Sequence, residues 1–380
     1  MVRAATSKAV SAILMASVPP SAPAHRRAVR LWLLAVATLI FATVIVGGAT
    51  RLTESGLSIV EWKPVTGVIP PFDVPAWQAE FEKYKTIPQY RERHPGMSLD
   101  EFKTIYWWEW THRLLARLVG AVFLVPFLCF LWRGWIEPPL RKRLWTIFGF
   151  GAALGVIGWL MVASGLSERV RVSQYWLAFH LTLACLIFAA VLWTAEGLAP
   201  RVAVIVPRRI RAAALAVFTL ILVQIYLGAL VSGIRAGLIY DTWPLIDGAW
   251  VPELARLFFD APLWRNFFEN TLTVQFDHRM LAYALELLVL LHAVDVARTV
   301  RGGAPLTGAV ALASAVTLQA TLGIATLLHQ APLALALPHQ AMALVVLAIA
   351  VVHAKRLARE PTQVGVAARD AAMRQWGQVT

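Results

Sequence analysis

Tyr106-Trp107-Trp108-Glu109-Trp110-Thr111-His112-Arg113 closes a long polar segment and opens a long apolar one. The junction reads as the first turns of a helix entering a hydrocarbon layer. Glu109 and His112, three residues apart, then share one helix face. Ionisable groups at the edge of a bilayer are costly and mark function by default. The plain alternative is a surface i,i+4 ion pair between Glu109 and Arg113, with His112 as a boundary residue.

Of the 380 residues, 58% are hydrophobic and only 15% charged, which is too apolar for an ordinary soluble domain. A helix needs about 20 apolar residues to cross the hydrocarbon core. Eight such stretches occur, at roughly 31–48, 107–132, 145–164, 174–195, 212–234, 273–297, 307–328 and 334–354. The fold class is therefore an all-α polytopic membrane protein with eight transmembrane helices.

The net charge of +13 follows the same topology. Lys and Arg gather before the first span (Arg26, Arg27, Arg30), at 133–144, at 196–211, at Arg298 and Arg301, and after the last span (Lys355, Arg356, Arg359). These are alternate connections, so the positive-inside rule makes that side cytoplasmic and puts both termini there. Membrane topology accounts for the charge, and no nucleic-acid partner is implied. The two cysteines, Cys129 and Cys185, fall inside spans, where they read as small core residues without a disulfide. The run Ala9–Val18 followed by Ser21-Ala22-Pro23-Ala24 loosely resembles a signal peptide, and no acid precedes Glu54. A disordered bacterial tail is the favoured reading. The expected location is a cell inner membrane, with the mitochondrial inner membrane as the alternative.

The chain repeats itself. Gly47, Gly56-Leu57, Trp62 and Gly67 recur at offset 181 as Gly228, Gly237-Leu238, Trp243 and Gly248. Glu109-Trp-Thr-His112-Arg113-Leu-Leu-Ala recurs at offset 166 as Gln275-Phe-Asp-His278-Arg279-Met-Leu-Ala, and His180 corresponds to His339. The organisation is a tail 1–30, a four-helix half 31–200, a second half 201–356 and a tail 357–380. An even number of spans per half preserves orientation, so a pseudo-two-fold axis along the membrane normal should relate the bundles. The long connections 49–106 and 235–272 lie on the outer side, and residues 70–103 read as short amphipathic helices on the membrane surface.

His112, His180, His278 and His339 all lie where their spans leave the outer side. Two imidazoles on facing helices of a four-helix unit make an axial-ligand pair for haem iron. Arg113 and Arg279, each next to a histidine, are placed to meet haem propionates. Zinc is disfavoured, because neither Cys nor enough carboxylates accompany the histidines. The halves differ at Glu109, matched by Gln275, and at Arg117, matched by Tyr283. A carboxylate can move protons or steady positive charge, and an amide cannot. A reacting haem-like group is thus expected in the first half and a permanent, electron-carrying haem in the second. His292 and His353 follow His278 and His339 at one common offset, close to four helical turns. That spacing would suit a second, stacked haem in a di-haem electron-transfer protein of the b type; the plainer alternative is a pair of interfacial histidines.

With these residues assembled, the chain resembles the haem A synthase family from about Arg30 to Arg356. The resemblance is carried by Gly47-Gly48-Ala49-Thr50-Arg51-Leu52-Thr53-Glu54-Ser55-Gly56-Leu57-Ser58, Trp62-Lys63-Pro64, Phe102-Lys103-Thr104-Ile105-Tyr106-Trp107, Glu109-Trp110-Thr111-His112-Arg113 and His339-Gln340. It implies oxidation of the C8 methyl of haem O, through a hydroxymethyl intermediate, to the formyl of haem A, which terminal oxidases use. It also implies a haem b on His278 and His339, and a substrate pocket at His112 and His180 with Glu109 as catalytic carboxylate. Haem O delivery from haem O synthase, an electron acceptor of unknown identity and a homo-oligomer are compatible with it. Some members carry a cysteine pair in the outer loops. This chain has none there, so redox chemistry through such a pair cannot operate.

Overall fold

The structure, a computed structural model, describes residues 23–166, 170–200, 204, 206–300 and 302–358. The run Ala9–Val18, Arg201, Arg301 and the tail from Arg359 onward lie outside the described residues. Among the described residues, eight helices are long and apolar enough to cross a membrane. They are α1 (Pro23–Leu52), α2 (Leu99–Trp132), α3 (Pro138–Leu166), α4 (Gln174–Gly197), α5 (Arg208–Ile234), α6 (Thr271–Thr299), α7 (Ala304–Leu328) and α8 (Leu333–Leu357). Each contains one of the eight apolar stretches, and most extend past it at one or both ends.

The extension of α2 moves the opening motif. Ser98 accepts from the backbone N–H of Glu101 at 3.3 Å, and Glu101 Oε2 accepts from the backbone N–H of Ser98 at 2.8 Å. This capping box starts the helix at Leu99. Glu109 and His112 therefore sit about three turns into the helix, not in its first turns.

α1 packs on α2 and α4, α2 on α3, and α3 on α4; α5 to α8 make the matching set of contacts. The halves join through α4 with α5, α4 with α8, and α8 with α1. Exchanging α1–α4 with α5–α8 leaves this list of helix pairs unchanged. The main core fills the middle, with Leu33 and Val36 of α1, Cys185 and Val191 of α4, Ile221 of α5, and Leu347 and Val351 of α8. Cys185 is buried there as expected, but Cys129 is exposed on the outward face of the peripheral α2.

The two short outer helices form, at Val74–Lys85 and Pro88–Arg93. They do not lie free on the membrane surface. Their aromatic faces close over the start of α2, in a cluster of Trp77, Phe81, Tyr84, Phe102 and Tyr106. The Tyr84 hydroxyl donates to Gln89 Oε1 at 3.1 Å and meets His94 Nδ1 at 2.7 Å. Burial pushes that hydroxyl well above its usual range. On the rim of this cap, hydrogen bonds from Lys63 and Lys83 hold the Glu61 carboxyl down to about 2.

The joint between the halves is polar at its outer end. Glu54 and Arg235 both follow a membrane helix in the left-handed region, at φ 54° and 58°. They are repeat partners at offset 181, and they form an ion pair with each other. Arg171 Nη2 stands 3.8 Å from the same carboxylate. Deeper in, Gln340 of α8 donates to the Val44 carbonyl of α1 at 2.7 Å, beside Gly48, whose lack of a side chain leaves the room. The Glu54 and Arg235 side chains are 23% and 29% exposed, so their pairing is screened. A double-mutant cycle of Glu54→Gln and Arg235→Gln, read by thermal unfolding in detergent, should give a coupling of about 0.5–1 kcal/mol. Strict additivity of the two variants would remove this pair from the joint.

Candidate functional site

Each of the four outer histidines lies against a glycine of the neighbouring helix. A Cβ on Gly47 of α1 would stand 2.8 Å from His112 Nε2, and one on Gly158 of α3 would stand 3.0 Å from His180 Cε1. In the second half, a Cβ on Gly228 of α5 would stand 3.0 Å from His278 Cε1, and one on Gly323 of α7 would stand 2.8 Å from His339 Cε1. Real Cβ atoms essentially never approach as closely as at Gly47 and Gly323, and the contacts at Gly158 and Gly228 are tighter than nine in ten real ones. These glycines let two helices close around a flat ring. Gly47 and Gly228 are repeat partners; Gly158 and Gly323 form a second such pair, at offset 165, that the motif comparison did not single out.

All four imidazoles are half-buried. His112 and His180 lie close enough to interact electrostatically, and so do His278 and His339. Nδ1 of His180 and of His339 is buried without a hydrogen-bond partner. Paired imidazoles, small residues at their backs and unsatisfied ring nitrogens fit a planar tetrapyrrole with two axial ligands. In the second half, Gln224 of α5 donates its amide to the His278 backbone carbonyl at 3.0 Å and lies 3.1 Å from His278 Nδ1. Gln224 carried no signal in the repeat, because its partner position is Thr43.

The two arginines anchor the outer loops. Arg113 Nη2 donates to the Ile59 carbonyl at 2.7 Å and Nη1 to the Glu61 carbonyl at 3.0 Å. Arg279 Nη2 donates to the Tyr240 carbonyl at 3.0 Å and Nη1 to the Leu245 carbonyl at 3.4 Å. Ile59 and Tyr240 are themselves repeat partners, so this is one interaction made twice. Arg279 Nε is buried and unpartnered, which leaves it a donor for an anionic group. Arg113 Nε is occupied, because it donates to Glu109 Oε1 at 3.1 Å. The propionate role expected of both arginines thus has a free N–H at Arg279 Nε but not at Arg113 Nε.

Glu109 is 2% exposed. Its Oε2 accepts from Ser58 Oγ and from the Ile59 backbone N–H, both at 2.8 Å. Its Oε1 accepts from Arg113 Nε and, at 2.6 Å, from Arg113 Nη2. The i,i+4 pair of the plain reading therefore exists, but it is buried under the outer loop and not on the surface. Gln275 occupies the matching place, and its Oε1 is buried without a partner. The position that matches Ser58 is Ile239, which has no hydroxyl to offer. Both the acid and its loop donor are thus specific to the first half. Arg117, the other point of difference, donates to the Pro64 and Lys63 carbonyls at 2.9 and 2.8 Å and holds the same loop.

His292 and His353 are buried among the helices. Their Nε2 atoms meet at 2.9 Å, with ring planes at 74°.

Residues 30–351 match the model of a family described as cytochrome oxidase assembly protein. The chain is 59% identical over 340 residues to a heme A synthase of Rhodopseudomonas palustris strain BisA53, covering 89% of this chain and 94% of that protein. It is 58% identical over 339 residues to a heme A synthase of Bradyrhizobium diazoefficiens, again covering 89% of this chain and 94% of that protein.

The glycine contacts give a test that leaves every histidine in place. Were a haem held by His278 and His339, Gly228→Val or Gly323→Val should drive the facing imidazole off its position and strip that haem from the purified protein. Gly47→Val should leave that haem bound. Pyridine haemochrome spectra read the difference, and equal haem retention by all three variants would contradict it.

Proposed function

This chain belongs to the haem A synthase family, and on that premise we propose that it oxidises the C8 methyl group of haem O to the formyl group of haem A. It is a multi-pass membrane oxidoreductase of the inner membrane. The observation that carries the reading is the unequal pair of histidine sites. Both halves cradle two imidazoles on glycines, but only the first has a buried carboxylate three residues before its leading histidine.

His278 and His339 are the residues that would hold a haem b, with Arg279 Nε available to a propionate and Gln224 beside the His278 ring. Such a haem supplies one-electron redox chemistry when bound. His112 and His180 are the corresponding pair for haem O, the substrate. Of the two roles open to Glu109, steadying positive charge fits its surroundings better than removing a proton. Two hydrogen bonds fall on each oxygen, which uses the accepting capacity of a carboxylate. Those bonds also fasten Ser58 and Ile59 to the helix that carries His112, so the acid fixes the loop over the substrate side and sets an oriented Glu109–Arg113 ion pair there. The burial of Glu109 keeps water from screening the field of that pair.

The basic connections favour an orientation with both termini in the cytoplasm. Haem O would then enter the outer half of the bilayer, delivered by the enzyme that makes it, and electrons would leave to an acceptor not yet identified.

Glu109→Gln removes the charge while keeping the shape. It should leave the haem of the second half in place and lower haem A formation by roughly a hundredfold or more, with Glu109→Asp recovering part of the activity. Extracted pigments separated chromatographically give both quantities. Undiminished haem A production by Glu109→Gln would remove this residue from the chemistry.

A further inference from the structure

The outer end of the joint gathers more positive than negative charge. Arg51 lies in the last turn of α1, Arg171 stands just before α4, and Arg235 follows α5. Two of the three already share the Glu54 carboxylate: Arg235 pairs with it, and Arg171 Nη2 lies 3.8 Å away. Arg51 lies close enough to both of these arginines to be repelled by them. Among the described residues, no hydrogen bond or ion pair falls on its half-buried guanidinium. Nε of Arg171 is also buried without a partner. Cations held together in this way, short of counter-charge and of acceptors, form a site that an anion stabilises.

The position of Arg51 indicates which anion. It follows Gly47, whose missing side chain makes room for the His112 ring, by four residues. The two therefore share a face of α1, with Arg51 one turn, about 6 Å, nearer the loops. Arg171 leads into α4, the helix that carries His180. Both arginines thus stand on the loop side of the paired imidazoles of the first half. In the repeat Arg51 is matched by Ser232, so this cation belongs to one half only. Its presence complements the difference between the leading arginines. Arg279 has Nε unpartnered in the second half, whereas Arg113 gives its Nε to Glu109. The donor that the first half lacks at Arg113 is present at Arg51.

We propose that Arg51, with Arg171 beside it, binds the propionate carboxylates of haem O in the α1–α4 bundle. The assignment rests on the preceding reading that His112 and His180 receive haem O. A guanidinium can give a carboxylate two parallel N–H bonds, which fix orientation as well as position. Axial ligands alone do not supply this, because they leave the macrocycle to turn about the iron–imidazole axis. In haem O the C8 methyl and one propionate are carried by the same pyrrole ring. Anchoring the propionates therefore also sets where the methyl lies, on the loop side of His112, where Glu109 stands on α2.

The test titrates the full chain in detergent, with its co-purifying protohaem in place, with haem O and with haem O dimethyl ester, whose propionates carry no charge. The Soret shift reads the affinity for each. The wild-type protein should bind haem O roughly tenfold tighter than the ester. Arg51→Gln should bind both at the ester's affinity, and Arg51→Lys should keep most of the preference. Arg171→Gln should lose part of it. The protohaem content of Arg51→Gln should equal that of the wild type, which separates a local loss from misfolding. An acid-over-ester preference that survives Arg51→Gln, or none in the wild type, would overturn the assignment and leave the substrate site standing. Haem O binding that survives both His112→Ala and His180→Ala would overturn the reading of that site, and this assignment with it.

Discussion

An imidazole can lie flat in a helix crossing only where the facing helix has no side chain, and this chain meets that condition at four outer positions. At Gly47, Gly158, Gly228 and Gly323 a side chain would press on the ring carried by the neighbouring helix. The rest of the arrangement follows from it. The helices must run antiparallel with the histidines at one height. The outer loops must be tied down above them, and arginines one residue after the leading histidines do this through backbone carbonyls that no mutation of the loop side chains would remove. In lipid those carbonyls would otherwise lack partners.

The two copies of the unit have diverged where chemistry would require it. Glu109 has Ser58, Ile59 and Arg113 around it, whereas Gln275, whose loop counterpart to Ser58 is Ile239, has an unsatisfied carbonyl oxygen. The first half spends Arg113 on its acid; the second keeps Arg279 Nε free. Near the joint the same divergence becomes an attraction, because Glu54 and Arg235, equivalent in the repeat, carry opposite charges and pair. A duplicated unit with identical residues at that place would bring like charges together.

Much of this was legible from residue order. The spans stood out because hydropathy integrates over many residues, and the repeat because Gly, Trp, His and Arg coincide far more rarely than apolar residues do. The start of α2 was missed by about two turns, although Ser98-Leu99-Asp100-Glu101 is a readable capping box, because the charges that follow it masked the helix. Arg113 was legible as a partner of Glu109 at i,i+4, but Ser58 and Ile59 were beyond reach, because they lie far back along the chain in a loop whose path depends on tertiary contacts. The burial of His292 and His353 was out of reach for a related reason. Proximity to the end of a span says nothing of burial, and here neighbouring helices cover that end. Cys129 erred in the opposite direction, since an apolar span has a lipid face as well as a core.

The central claim is that one half retains a haem and the other receives one. Anomalous scattering at the iron edge, from crystals of the protein grown with and without haem O, addresses it most directly. The account predicts iron between His278 and His339 in both crystals, and an additional iron between His112 and His180 only when haem O is supplied. Iron absent from the His278–His339 position, or haem O iron bound away from His112 and His180, would contradict it.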